Sequence, residues 1–180
     1  MDTLGAMSSA MSVSRVVSEI SGRSCTIKLE NHSEVYSLVK PRTWMNSGYN
    51  SHPPSPTVDV KATEVCAFSK TAVGARGAVG VLTYDLLQRK KCTDKMMAIM
   101  FSVPFDYSLY ENWLAVGVFE HTRPCDDALF NLMYYDSDPA FIRAKAKHPS
   151  IVYTWESMEI RAVMSNAVTA ITEVEIHDKS

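Results

Sequence analysis

The sequence predicts a mainly β protein, a sandwich or barrel of about ten short strands. Three observations predict it. Period-two alternation of apolar and polar residues recurs along most of the chain, each run bounded by turn residues. Clear helical patterning falls on two short stretches, residues 12–21 and 126–135. The chain has 180 residues, of which 46% are hydrophobic, enough for one core without cross-links. Composition excludes a disordered, collagenous or coiled-coil protein.

The first helical stretch rests on Val13, Val16, Val17 and Ile20, which fall at i, i+3, i+4 and i+7 and share one face. Arg15, Ser18 and Glu19 take the other face, and Gly22 is the expected stop. Upstream, Leu4, Met7 and Met11 repeat at helical spacing but point to nearly the opposite side. Alternation then begins. Cys25, Ile27 and Leu29 predict a strand, and Val35, Ser37 and Val39 a second. Residues 46–54 (NSGYNSHPP) are dense in turn formers and predict a loop. Further strands are expected over 63–68, 77–86, 95–104, 112–119, 151–155, 158–164 and 170–176. Gly74, Gly77 and Gly80 mark a turn entering a strand. Arg89-Lys90-Lys91 reads as a basic hairpin tip, able to touch anionic lipid if it lies beside an aromatic rim. Residues 126–135 form the second short helix, with Cys125 or Asp126 as its cap.

Several function classes are excluded or disfavoured. The net charge of −2 argues against a bulk electrostatic nucleic-acid binder, so no nucleic-acid partner is expected. No apolar run approaches the roughly 18–20 residues of a transmembrane helix. The N-terminal stretch MDTLGAMSSAMSVSRVV has no basic start followed by an apolar run, so no signal peptide is expected. Cys25, Cys66, Cys92 and Cys125 lie at least 26 positions apart, which excludes a CxxC motif and favours free thiols. The five histidines are scattered, and Pro124 breaks the His121–Cys125 spacing, so no metal site is expected. No hydrolase, kinase, P-loop or dinucleotide motif occurs, so no enzyme and no cofactor are expected.

What remains is aromatic density. One segment runs Phe101-Ser102-Val103-Pro104-Phe105-Asp106-Tyr107-Ser108-Leu109-Tyr110-Glu111-Asn112-Trp113, and another Phe130-Asn131-Leu132-Met133-Tyr134-Tyr135. Phe101, Phe105 and Phe119 are expected in the core. Tyr107, Tyr110 and Trp113 flank a polar loop, where rings are costly unless they meet an amphipathic partner. A membrane interface and a quaternary ammonium group are two such partners.

The stretch Met100–Tyr107, with Tyr110 and Asn112-Trp113, resembles the membrane-facing segment of the actinoporins, the sea anemone cytolysins. Residues 77–84 (GAVGVLTY) resemble their preceding strand, and 129–135 their second helix with paired tyrosines. Order and spacing agree from about residue 23 to 176, and the chain looks closest to the actinoporin-like branch outside anemones. The resemblance implies a β-sandwich flanked by two α-helices. It divides the chain into an amphipathic, detachable segment over 1–22 and a sandwich over 23–180. It implies a protein soluble at rest that associates with target membranes. The implied ligand is phosphocholine, with sphingomyelin preferred. Oligomerisation into a cation-permeable pore would follow once the N-terminal helix enters the bilayer. The implied headgroup site is Ser47, Val79, Ser102, Pro104, Tyr110, Tyr134 and Tyr135. Tyr107, Leu109, Trp113 and Leu114 would sit at the membrane interface.

The chain departs from the family pattern at several places. Asn46 stands where members usually carry a phosphate-pairing arginine. Leu109 and Leu114 replace tryptophans, and Phe130 replaces a tyrosine. Residues 141–145 (FIRAK) occupy the region of the usual Arg-Gly-Asp triplet. Two further readings stay open. The same kind of sandwich serves fungal lectins, so a glycan partner is the alternative. The N-terminal helix is either detachable or packed permanently on the sandwich, since a bilayer core of about 30 Å needs roughly 20 helical residues.

Overall fold

The computed structural model describes residues 13–20, 22–108 and 110–180. Among these residues, twelve strands form two six-stranded sheets. One sheet has the order β10-β11-β12-β1-β5-β3 and the other β4-β2-β6-β7-β8-β9. The first comprises β1 (Ser24–Asn31), β3 (Tyr49–His52), β5 (Thr63–Ser69), β10 (Ile151–Trp155), β11 (Met158–Met164) and β12 (Thr169–Asp178). The second comprises β2 (Tyr36–Ser47), β4 (Thr57–Val58), β6 (Ala78–Gln88), β7 (Lys91–Val103), β8 (Trp113–Glu120) and β9 (Phe141–Lys145). Residues 13–19 form helix α1, and Asp127–Tyr135 form α2. The architecture is therefore the sandwich flanked by two helices, with twelve strands rather than about ten.

Alternation along each strand sends one set of side chains between the sheets. Ile27, Leu29, Leu38, Leu82, Ile99, Phe101, Val116 and Val174 belong to that core. A second apolar layer lies on the other face of the β2–β9 sheet. There Met96, Met100 and Ala115 pack with Leu129, Phe130 and Met133 of α2. Central strands of this sheet are thus covered on both faces, which explains the unbroken apolar run Met96–Phe101. Asp126 caps α2, its Oδ1 accepting from Leu129 N at 3.0 Å. All four cysteines are free thiols. Cys25 lies in the core beside Thr172 Oγ1 at 3.3 Å, and burial pushes its thiol up to about 12.

The α1 stripe falls as its spacing predicts. Val16 is buried, Val13, Val17 and Ile20 are half-buried, and Ser14, Arg15, Ser18 and Glu19 are exposed. Glu19 pairs with His52 of β3 at 3.0 Å and with Arg15 at 3.3 Å. Leu4, Met7 and Met11, and with them the N-terminal extension of the helix, lie outside the described residues. No helix among the described residues is long and apolar enough to cross a membrane.

Three expectations need correction. Residues 46–54 are not a loop: Ser47 still pairs with Val79, and Tyr49–His52 form β3 against β5. Register shifts between Met45 and Ser47 and between Asn50 and His52 hide these pairings from a period-two search. Gly48 makes the crossing between the sheets, with φ +90 and a Cβ position only 2.4 Å from Ser69 O. Phe105 is not core but 40% exposed, because the chain leaves the sheet after Val103. Leu114 is not at the surface: it is 3% exposed and belongs to the core, since β8 alternation turns it inward beside Trp113.

Candidate functional site

One row of paired residues organises the site. Ser47 on β2 opposes Val79 on β6, which opposes Ser102 on β7. Ser102 opposes Trp113 on β8, which opposes Lys145 on β9. Directly paired residues point to the same face, so five strands contribute one line of side chains to the α2 side of the sheet. Beyond that line, Pro104 begins the β7–β8 loop. The loop turns at Asp106, whose carbonyl accepts from Tyr110 N at 3.0 Å and whose Oδ1 accepts from Ser108 N at 2.9 Å. The C-terminal turn of α2 supplies Tyr134 and Tyr135 over the row.

These parts enclose a cavity of about 520 Å³ open to solvent. Ser47, Val79, Ser102, Pro104, Tyr110, Tyr134 and Tyr135 all line it. Tyr110 is 53% and Tyr135 70% exposed, whereas Ser102 is buried. The rings are ordered against each other. Phe130 stacks on Tyr134 at 5.5 Å, and Tyr134 meets Tyr135 edge-on at 4.7 Å. Burial, with the neighbouring Tyr135 and Tyr110, raises the Tyr134 phenol above its ordinary value, so it keeps its proton as a donor. The nearby Ser102 hydroxyl acts the other way, favouring the ionised form, but less strongly than burial. Ser47 Oγ donates to Gly77 O and accepts from Gly77 N, both at 3.2 Å. That hydroxyl therefore pins β2 to the start of β6 and has one lone pair left over.

The rim residues separate. Tyr107 is 37% exposed and donates from Oη to Asn112 Oδ1 at 2.8 Å. Trp113 is half-buried beneath Lys145 Nζ at 5.5 Å and the Arg143 guanidinium at 5.9 Å from its ring. Leu109 lies outside the described residues, and Leu114 is in the core as noted. The basic tip Arg89-Lys90 is a two-residue turn with φ 49 and 67. It closes the far end of β6 and β7, about 30 Å of strand from Val79, so it is not beside the aromatic rim.

Charge enters from two residues that the sequence reading missed. Arg76, from the β5–β6 loop, and Asp106 line the cavity together with Asn46. The cavity thus carries one side chain of each sign among tyrosine faces. Position 46 lacks a cation, and Arg76 presents one from a different loop. No periodic signal marks Arg76; only the folding of its loop over Ser47 brings it in. A third missed residue is Arg143. Its Nη1 donates to Met133 O at 2.8 Å and to Asp136 O at 2.7 Å, closing the C-terminal end of α2.

A family model described as sea anemone cytotoxic protein matches residues 9–178. The chain belongs to this family. Bryoporin of Physcomitrium patens is 32% identical over 133 residues, covering 72% of this chain and 71% of bryoporin. DELTA-alicitoxin-Pse1b of Phyllodiscus semoni is 38% identical over 86 residues, 48% of this chain and 31% of the toxin. Against the first anemone toxins it matches, the chain covers 26–32% of their length. Among solved structures, the lipid binding protein Nakanori superposes with a TM-score of 0.70 at 14% identity, covering 91% of this chain and 75% of that one. At that identity the likeness shows the fold alone. Membership of the sea anemone cytotoxic protein family agrees with the expectation of a non-enzymatic protein.

Proposed function

We propose that this chain is a membrane-binding cytolysin that holds the phosphocholine headgroup of sphingomyelin-type lipids in the cavity under α2. The observation that carries the reading is the convergence of Ser47, Val79, Ser102, Pro104, Tyr110, Tyr134 and Tyr135 on one open cavity. Tyrosine faces attract the quaternary ammonium, and the Asp106 carboxylate adds to that attraction. The phosphate meets donors from Tyr134 and Ser102 and the Arg76 guanidinium. Val79 and Pro104 form the apolar wall. A pocket bearing both signs of charge suits a zwitterion, a property a neutral sugar does not demand. Tyr107 and Trp113 flank the headgroup at the membrane interface. Secretion, assembly of several copies on the bilayer and detachment of residues 1–22 to build a cation-permeable pore belong to the same reading, by family membership.

Vesicle sedimentation tests it. The protein should bind vesicles of sphingomyelin and phosphatidylcholine, and free phosphocholine should compete. Tyr110→Ala should weaken binding by about 2- to 30-fold, the range of a cation–π contact. Equal binding by wild type, Tyr110→Ala and Tyr134→Ala would overturn the headgroup site. Binding to a glycan array without binding to vesicles would favour the lectin reading. Dye release that persists after deletion of residues 1–11 would refute a pore built by that segment.

A further inference from the structure

The histidines look scattered in sequence, yet the parallel pairing of β1 with β12 brings two of them together. Glu30 pairs with Glu175 and Asn31 with Ile176, and the next residue, His32, donates its backbone N–H to Ile176 O at 2.8 Å. His32 and His177 therefore stand side by side on the outer face of the first sheet, their rings stacked at 4.7 Å and 16°. Glu175 Oε1 lies between them, 3.2 Å from His32 Nε2 and 3.5 Å from His177 Nε2. Ligand atoms of His32, Glu175 and His177 all fall within 4.8 Å of one another.

We infer that His32, His177 and Glu175 form a site for a divalent transition-metal ion of the zinc class. Ligands at about 2.0–2.1 Å in a tetrahedron are about 3.3 Å apart, which matches both carboxylate–imidazole distances. His177 Nε2 is buried and has no hydrogen-bond partner, an orphan that a metal would satisfy. Glu30 supplies a further carboxylate beside the site, its Oε2 3.0 Å from His32 Nε2 and its Oε1 2.6 Å from Lys28 Nζ. Two imidazoles and carboxylate oxygen are donors that suit zinc rather than calcium or magnesium. Stacked rings do not aim both lone pairs at one point. Chelation turns His32 about its side-chain torsions, and its 44% exposed side chain leaves room for that. A solvent molecule completes the fourth position. The ion would staple the end of β1 to the end of β12.

The test uses the full chain carrying Cys92→Ser, which removes the thiol of a second cluster formed by Cys92, Asp94 and His121. Calorimetric titration with zinc sulfate should give one ion per chain, and zinc at a hundred times Kd should raise Tm by about 5–10 °C. His32→Asn, His177→Ala and Glu175→Gln should each weaken binding at least tenfold. Circular dichroism identifies any variant that fails to fold; His32→Asn, at the most exposed of the three ligands, is the decisive one. Unchanged zinc affinity in folded His32→Asn, or no saturable binding by the parent at 100-fold molar excess, would overturn the site.

Discussion

Arg143→Gln isolates the part of the site that no ligand touches. Arg143 reaches from β9 to the last turn of α2, donating to Met133 O at 2.8 Å and Asp136 O at 2.7 Å. These carbonyls belong to the group that a helix end leaves without intrahelical partners. A hydrogen bond from a charged donor contributes about 1.5–3 kcal/mol when shielded and less in water. The bond to Met133 is part-buried and that to Asp136 exposed, so the pair is worth about 2–3 kcal/mol. The guanidinium also lies 5.9 Å from both the Trp113 and Phe141 rings, adding about 0.5–1 kcal/mol. The substitution should therefore destabilise by about 2–4 kcal/mol and lower Tm by about 5–15 °C. Denaturant melts measure the loss, and amide exchange should localise it to residues 132–136. Because Tyr134 and Tyr135 ride on that turn, vesicle binding should weaken although Arg143 is not among the cavity-lining residues. Arg143→Lys, with one compact ammonium in place of the fork, should recover only part. A variant that melts like wild type with protected 132–136 amides would refute the anchoring argument.

Leu114→Ala should cost about 2–5 kcal/mol in a denaturant melt while leaving vesicle binding intact in the folded protein. Unchanged stability would contradict its inward packing. Gly77→Ala forces a Cβ to 2.2 Å from Val103 O. It should destabilise by about 1–3 kcal/mol and disturb the Ser47 hydroxyl pair, measured as a lower Tm and weaker binding. Glu111, held by Lys145 at 2.6 Å and Lys147 at 2.8 Å, has its carboxyl pulled down to about 2. Its ion pairs are therefore intact above its ordinary titration range near 4.5 and are lost as pH falls through about 2. An NMR titration should find it ionised at pH 3.5, and Lys145→Gln with Lys147→Gln should move the midpoint upward.

Strands with clean alternation were legible to within a residue or two. The expected ranges 151–155 and 158–164 coincide with β10 and β11, because single-register antiparallel pairing preserves period two. β3 was not legible, since a sheet-switching crossing at Gly48 and two register shifts break the pattern. β9 was missed because an edge strand buries little: only Phe141 of its five residues is buried. The family resemblance supplied the seven cavity residues, and the cross-strand row explains why they are so far apart in sequence. Carry-over failed at Leu114, where the alternation of β8 decides the side-chain direction. Arg76 and the His32–His177 pair were illegible for another reason. Loop folding and a parallel strand pairing create those juxtapositions, and neither leaves a local period.

The pairing of β1 with β12 also ties together two strands far apart in sequence. Ser24 meets Thr169, so one side of β1 stays unpaired until β12 is in place. Closing so long a loop costs about 3 kcal/mol more than closing the tight hairpin between β6 and β7. The sheet that carries the cavity grows largely from neighbouring strands, β6 to β7 to β8 to β9, and can form while the chain is still emerging. β1 lies between β12 and β5, and β5 in turn supports β3, on which α1 rests through Glu19 and His52. The seat of α1 is thus built on β1, β5 and β3, and β12 completes the sheet on the far side of β1. β12 covers one side of β1, so removing β12 should weaken the β1–β5–β3 unit on which α1 rests.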